Sequence, residues 1–429
     1  MTPGARLATA LELLDLVLRP PAGREAVPGD VVVSNFLRGR RFIGSKDRRA
    51  IQDFVYGVLR ALAPLRWWSK SDQPRTLLLA YLVLAQAQTV EQISNQCDGG
   101  TYRPAPLTED ERALLTKLAG KQLLDPAQPA HVRANLPEWL ESALRETFGA
   151  EAENAMAALN APAEVDLRVN TLKATRDGVL AELAAANLAA APTPLSPLGI
   201  RLAGRTSLPA LALFKDGRAE VQDEGSQLVS LLVDARAGMA VLDYCAGAGG
   251  KSVALAVAMQ NQGRVLAYDA APRRLADLPK RAARAGATIV EITGNRPSGT
   301  FDRVLVDAPC TGSGAWRRHP DAKWRLTPAE LARLTVLQAA ILAEAAALVK
   351  PGGRLVYVTC SVLRAENEAI VEPFLEGHPA FAAMPYRNVW AEHAGGPLPD
   401  PGPYLHLAPH ATGTDGFFCA ILQRQAANP

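Results

Sequence analysis

The sequence predicts an α/β protein in which a mostly parallel sheet carries helices on both faces, behind an N-terminal all-α segment and a small α+β connector. Three observations carry that prediction. From about residue 216 onward the chain repeats strand, turn and helix. The first of these units closes on a glycine-rich turn, DYCAGAGGKS. Before residue 130 the apolar residues recur instead at helical spacing. A chain of 429 residues also exceeds one ordinary core. The expected parts are 1–130, 131–215 and 216–429.

In the first part LATALELLDLVL, RRAIQDFVYGVLRALAPL and TLLLAYLVLAQ read as amphipathic helices. TEDERALLTKLA opens with Thr108 and has Glu111 three residues on, the pattern of a capping box. The connector begins with one or two helices in PEWLESALRETFGAEAENAMAALNA. It continues through a strand, VDLRVNT, an alanine-rich helix and a loop, PTPLSPLG. The third part offers strands in MAVLDY, RVLAYDA, TIVEIT, FDRVLVDAP, RLVYVTCS and GFFCAILQR. Its long helix, TPAELARLTVLQAAILAEAAALV, is expected to end at Lys350, where PGG stops it. In such a sheet ligands bind at the strand C-termini.

Composition excludes several classes. No run of about 18 apolar residues exists, so no membrane span is expected. The N-terminal MTPGARLATALELLDLVLRP carries acids within its apolar stretch, which fits an amphipathic helix better than a cleaved signal. A net charge of +3 excludes a basic surface over the whole chain. The charge is uneven, however: residues 1–70 hold 12 Lys/Arg against 6 Asp/Glu, many of them in RGRRFIGSKDRR. That run is either a solvated helix end or a phosphate-contacting patch. The cysteines are Cys97, Cys245, Cys310, Cys360 and Cys419, an odd number with no CxxC pair. This argues against a disulfide framework and a structural zinc site, and a reducing cytoplasm is expected.

The glycine turn from Cys245 through Ala246, Gly247, Ala248, Gly249 and Gly250 to Lys251 joins a strand to a helix. It lets a ligand approach backbone N–H groups at the helix N-terminus. It matches neither GxGxxG nor a full phosphate loop. Asp269, at the end of the next strand, can accept hydrogen bonds from a ribose diol, so a nucleoside is expected there. Cys310 in VLVDAPC and Cys360 in VYVTCS lie at the ends of two strands that face one crevice. They are a redox pair, or a nucleophile with a second thiol that handles protons. Asp307 can hold a ring that bears N–H groups, whether of the cofactor or of the substrate. After Cys310, two tryptophans are interleaved with Arg317, Arg318, Lys323 and Arg325 within WRRHPDAKWR. Cations among aromatic rings suit a splayed nucleic-acid strand.

Together DYCAGAGGKS, DAPCTGSG, RRHPDAKWR, PGGRLVYVTCS and DGFFCAIL resemble the RsmB/Sun/Nop family of RNA 5-methylcytosine methyltransferases, which use S-adenosylmethionine. QDEGSQLV and LRVNT match its pattern too. The resemblance spans about 135–429 and implies a Rossmann-like class I methyltransferase domain. DRRAIQDFVYGVLR is similar to the NusB-like helical domain of the RsmB branch, an RNA-binding module. The family's turn is commonly CAAPGGK, and here Ala248 replaces the proline. The family usually has an aspartate near the adenine after the third strand. Here Asn295 stands in TGNRPSG, and its amide can still bond an adenine amino group.

The resemblance assigns the nucleophile to Cys360. Cytosine carbon 5 becomes enamine-like only when a thiolate adds at carbon 6. Asp307 would stabilise the ring at nitrogen 3, and Cys310 would promote proton loss from carbon 5 and release. Lys251 would support Asp307 or the loop. Arg168 and Asn170, in LRVNT, are expected on the RNA, which must present an unstacked cytosine. The expected substrate is small-subunit rRNA, bound by a monomer without metal. The alternatives are a tRNA substrate, or a non-catalytic RNA-binding assembly factor that retains the fold.

Overall fold

The computed structural model describes residues 1–19, 27–204, 208 and 211–426. The chain forms two compact units, Met1–Ala161 with Trp316–Thr327, and Pro162–Ala315 with Pro328–Pro429.

The first unit is helical, with a core that includes Leu7, Leu14, Ile51, Val55, Leu62 and Leu77. Thr108 and Glu111 cap the helix Glu109–Leu118 reciprocally, at 3.2 and 3.0 Å. The stretch RRAIQDFVYGVLRALAPL, expected as one helix, is two, Ser45–Arg60 and Leu62–Ser69. Pro64 explains the break. It has no N–H for the Arg60 carbonyl, and its ring would collide with that oxygen. Asn160 Nδ2 donates to the stranded Arg60 carbonyl at 2.7 Å. Asn135 donates to Leu59 O at 3.1 Å and accepts from Ala63 N at 2.8 Å. These two asparagines tie the helices Glu138–Phe148 and Ala152–Asn160 into the same unit. The helical unit therefore runs to Ala161 and takes in the first helices of the segment 131–215.

The excursion Trp316–Thr327 belongs to this unit. Asp321 Oδ2 accepts from Gly29 N, 2.9 Å away, at the start of the helix Gly29–Gly39. Arg317 is buried, and its carbonyl accepts from Arg60 Nη2 at 2.9 Å. Lys323 is 1% exposed, and its amine donates to Asn160 Oδ1 at 2.8 Å. Burial, reinforced by the nearby Arg60 charge, pushes this amine down to about 7.

The second unit holds two sheets among the described residues. The small sheet contains β1 (Val165–Val169), β2 (Ala190–Pro192), β3 (Gly199–Leu202) and β4 (Ala219–Val221). It is antiparallel, in the order β2-β3-β1-β4. Only β1 was expected; the others are three or four residues long, too short for alternation to register. The main sheet contains β5 (Ala240–Asp243), β6 (Arg264–Tyr268), β7 (Val290–Thr293), β8 (Phe301–Asp307), β9 (Val349–Thr359), β10 (Phe381–Met384), β11 (Leu405–Leu407) and β12 (Phe417–Arg424). Its order is β10-β12-β9-β8-β5-β6-β7, with β11 paired to β12. The strands from β7 to β9 run parallel, and β12 joins antiparallel. The long helix is Pro328–Ala346, so it ends four residues before the expected Lys350. The PGG lies inside β9, where Gly352 takes a φ of 76°. Lys350 is held in the strand by Asp302, at 2.9 Å.

Arg168 and Asn170, expected on the RNA, are buried and bond the small sheet to the backbone at Gly250 and Ala285. Arg168 is 3% exposed; it donates to Gln222 Oε1 at 2.7 Å and Gly250 O at 2.9 Å, and pairs with Glu220 at 3.3 Å. Asn170 Nδ2 donates to Gly217 O at 2.8 Å and Ala285 O at 2.7 Å. Buried carbonyls of this kind are paired in folded proteins, and here the side chains of Arg168 and Asn170 supply the donors.

Two outcomes are expected from these contacts. Asn170→Ala strands two buried carbonyls and lowers unfolding stability by roughly 2–3 kcal/mol, measured by urea denaturation. The folded protein releases the Lys323 proton near pH 7 and the unfolded chain near 10.5. The unfolded chain thus binds the extra proton between these values, and stability rises with pH across that window. Lys323→Met therefore raises the first thermal midpoint more at pH 6.5 than at pH 9.5; equal gains would contradict the burial of a charged amine.

Candidate active site

The strand order reverses at β5, which pairs with β6 on one side and β8 on the other. In an open parallel sheet this leaves a crevice beyond the strand C-termini, because the crossovers diverge to opposite sides. Asp243, Asp269, Asp307 and Cys360 end or immediately follow β5, β6, β8 and β9.

The turn after β5 is built from positive-φ glycines. Gly249 has φ 78° and opens the helix Gly250–Ala258. A Cβ there would meet Leu278 Cδ1 at 2.0 Å, so only glycine fits. Gly247, with φ 50°, donates its N–H to Asp269 Oδ2 at 3.0 Å. Ala248 is exposed, and its carbonyl accepts from Arg281 Nη1 at 2.9 Å, a contact that stiffens a turn lacking the family's proline. Cys245 and Ala246 complete the turn, and burial pushes the Cys245 thiol well up.

Asp269 is buried. Its Oδ2 takes Gly247 N–H and the Arg274 guanidinium at 3.0 Å, and its Oδ1 takes Ala271 N at 2.9 Å. A carboxylate has about four acceptor sites, so Oδ1 keeps one for a hydroxyl. Half-exposed Arg274 covers a second. Asp243 was not singled out from the sequence. It is fully buried, and Ser252 Oγ donates to its Oδ2 at 2.6 Å. Its Oδ1 has no hydrogen-bond partner among the described residues. Burial, only partly offset by the Ser252 hydrogen bond, raises this carboxyl to about 7.

Lys251 Nζ donates to Asp307 Oδ2 at 2.6 Å. Burial lowers the lysine and the Asp307 charge more than restores it, leaving the amine above its ordinary value. Cys310 and Cys360, fifty residues apart, come within 3.4 Å, sulfur to sulfur. The contact with Cys360 and then burial hold the Cys310 thiol well above its ordinary value. Two thiols, an aspartate and a lysine thus face one crevice. The arrangement can supply a nucleophile, a second thiol for proton transfer, and a charged pair to orient a heterocycle.

Other expected residues lie elsewhere. Asn295 is exposed beyond β7, its backbone N–H bonded to Thr293 Oγ1 at 3.1 Å. Of the expected basic bed, Lys323 and Arg317 are buried, Arg318 is half-buried and Arg325 is exposed, paired with Asp321 at 3.0 Å. The run therefore forms no open row of cations, because half of it serves packing and helix capping. Asp234, Glu392 and His393 have metal-like spacing. Asp234 is nevertheless bonded to Arg236, Arg303, Arg354 and His393 at 2.6–2.9 Å. Guanidinium groups already fill its acceptor sites.

A family model described as 16S rRNA methyltransferase RsmB/F matches residues 230–423. A second, described as an RsmF/B-like ferredoxin-like domain, matches residues 136–208. A Synechocystis protein named "Probable ribosomal RNA small subunit methyltransferase B" is 32% identical over 97% of this chain and 100% of its own length. Ribosomal RNA small subunit methyltransferase B of Salmonella arizonae is 32% identical over 89% of this chain and 91% of its own. Among solved structures, that of PH0851 superposes with a TM-score of 0.79 over 99% of both chains, at 24% identity. NSun6 from Pyrococcus horikoshii gives 0.61 over 68% of this chain and 99% of its own, at 20% identity. These two likenesses establish the fold, and the sequence matches establish kinship: the chain belongs to the RsmB/F family of 16S rRNA methyltransferases.

Proposed function

We propose that this protein methylates carbon 5 of a cytosine in small-subunit rRNA, using S-adenosylmethionine and a covalent Cys360 intermediate. The observation that carries the reading is the 3.4 Å pair of thiols, in the crevice that the Lys251–Asp307 pair also faces. Redox chemistry alone would leave the glycine turn and the aspartates at the strand ends without a role.

The residues fit S-adenosylmethionine. The buried Asp243 Oδ1 lacks a partner, and a carboxylate beside the turn suits the cationic amino-acid end of the ligand. Asp269 keeps an acceptor site for the ribose, and Asn295 is exposed where an adenine edge can reach it. The turn Cys245, Ala246, Gly247, Ala248, Gly249, Gly250 and Lys251 cradles the ligand. S-adenosylmethionine supplies an electrophilic methyl on a sulfonium.

Cys360, as thiolate, forms a bond to cytosine carbon 6, and the pair of electrons moves to carbon 5, making it nucleophilic. Asp307, oriented by Lys251, holds the N–H groups of the ring edge, and the Lys251 cation beside it offsets the negative charge that develops at nitrogen 3. Once carbon 5 bears the methyl, its proton must leave. Cys310, as thiolate and in contact with Cys360, accepts that proton; the carbon–hydrogen electron pair restores the 5,6 double bond, and the bond from Cys360 to carbon 6 breaks to release the thiolate.

RNA binding is proposed for the helical unit. Phe42 is 80% exposed, and Arg38, Arg41 and Lys46 surround it in sequence, while Arg40 pairs with Glu12 at 3.2 Å. Asp47 is occupied by Arg6 at 2.7 Å and so does not cancel them. A ring with cations around it stacks a base and binds phosphate. Arg318 and Arg325 add to the contact; Lys323 and Arg317 act through packing.

The test is a denaturing gel after incubation with unmodified small-subunit rRNA and S-adenosylmethionine. Cys310→Ala is expected to accumulate a protein–RNA band, and Cys360→Ala to give none while losing methyl transfer by on the order of a thousandfold or more. A band from Cys360→Ala alone would reverse the two roles. Methylation only of tRNA would replace the substrate, and no methylation of any RNA would favour an assembly role.

A further inference from the structure

We propose that Glu366 is the positioning residue of the two-thiol site: its carboxylate ties the Cys310 loop to the Cys360 loop and sets the distance between the sulfurs. The inference rests on the two-thiol reading above. Glu366 is fully buried, six residues past Cys360. Its Oε1 accepts from Thr311 N at 2.9 Å and from Gln338 Nε2 at 2.9 Å. Its Oε2 accepts from the hydroxyls of Thr311 and Ser361. Thr311 immediately follows Cys310, and Ser361 immediately follows Cys360. One carboxylate therefore holds both cysteine loops by the residue next to each thiol.

The surroundings reinforce the clamp. Gln338, on the long helix, also donates to Pro309 O at 2.9 Å, on the other side of Cys310. Ser313 Oγ contacts Ser361 Oγ at 2.9 Å and accepts from Val362 N at 2.9 Å, a second bridge between the loops. Tyr357 OH donates to Glu366 O at 2.7 Å, and Asn367 accepts from Thr359 Oγ1 at 2.6 Å. The carboxylate itself is placed by β9 and its following turn.

A carboxylate is the side chain that does this. Burying one is costly, and it is tolerated where several donors converge. Backbone pairing holds β8 to β9 only as far as Asp307 opposite Val358. Beyond that register Gly314 N donates to Cys360 O at 2.9 Å, four residues after Cys310, so the position of the Cys310 thiol itself is left to side-chain contacts. Glu366 also adds to the negative field at Cys310, which favours its thiol form. Because Thr311 and Ser361 hydroxyls can turn and accept, a glutamine amide can replace the second oxygen. Glu366→Gln therefore preserves the clamp, and Glu366→Ala removes it.

The test reads the thiol separation and needs no methyl transfer, so its failure is distinguishable from failure of the methyltransferase reading. The full-length protein is treated with dibromobimane, which fluoresces when both arms are alkylated, and the cross-link is mapped by peptide mass to Cys310–Cys360. Wild type and Glu366→Gln are expected to cross-link at similar rates. Glu366→Ala is expected to cross-link at least about tenfold slower, while each thiol still reacts with a monofunctional reagent; that factor is what losing one charge-assisted hydrogen bond implies. A Glu366→Ala protein that keeps the wild-type thermal midpoint and the wild-type cross-linking rate would overturn the proposal. If Glu366→Ala fails to fold, the double variant Thr311→Val, Ser361→Ala removes the two hydroxyl donors instead. Slow cross-linking by that variant supports the clamp, and wild-type cross-linking overturns it.

Discussion

The parallel pairing of β8 with β9 is the constraint on which the site depends. It sets Asp307 opposite Val358, so that the residues following both strands leave the sheet together. Cys310 and Cys360 are fifty positions apart in the chain, and this pairing brings them to one end of the sheet, where their sulfurs lie 3.4 Å apart. The same edge of the sheet carries Asp243 and, through β6, Asp269. If β8 slipped by one residue against β9, Asp307 would turn to the other face and part from Lys251. Long-range register therefore has a chemical consequence here.

Buried charge is the second theme, and each instance has its own solution. Asp307 is met by Lys251. Glu220 is surrounded by Arg168, Arg281 and Arg284 at 2.7–3.3 Å. Asp234 is met by three arginines and a histidine. Glu366 takes neutral donors, and Asp243 has one oxygen satisfied and one left over. An orphaned buried acceptor is rare in a protein core and gains meaning at a strand C-terminus that faces a ligand crevice. The pairs of Glu220 and Asp234 brace the fold, whereas the Lys251–Asp307 pair stands at the strand ends beside the two thiols.

Much of this was legible in the sequence because strands β5, β6, β8, β9 and β12 are apolar runs bounded by sharp turns. DYCAGAGGKS, DAPC and VTCS each stand at a strand end, where a topological rule places them together. The capping box at Thr108 was legible for the same reason: its contacts are local. What escaped depends on distance in the chain. The strands β2, β3, β4, β10 and β11 are three or four residues long and show no period. The break at Ala61 follows from Pro64, a local signal that the strong apolar pattern obscured. Arg168, Asn170 and Lys323 looked like exposed RNA ligands because burial cannot be read from charge. Asn160, far away in sequence, is what makes a buried Lys323 tolerable. Glu366 showed only as an acid in RAENE, and its role appears when Thr311, Gln338 and Ser361 converge on it.

Methyl transfer to carbon 5 of a cytosine in small-subunit rRNA leaves a trace in the hydrogen that carbon 5 loses. The most direct measurement uses small-subunit rRNA tritiated at cytosine carbon 5, incubated with the protein and S-adenosylmethionine. Tritium is expected to appear in water in step with methyl incorporation, and digestion of the RNA to yield 5-methylcytosine. Methyl incorporation with full retention of tritium would place the methyl on another atom and contradict transfer to carbon 5.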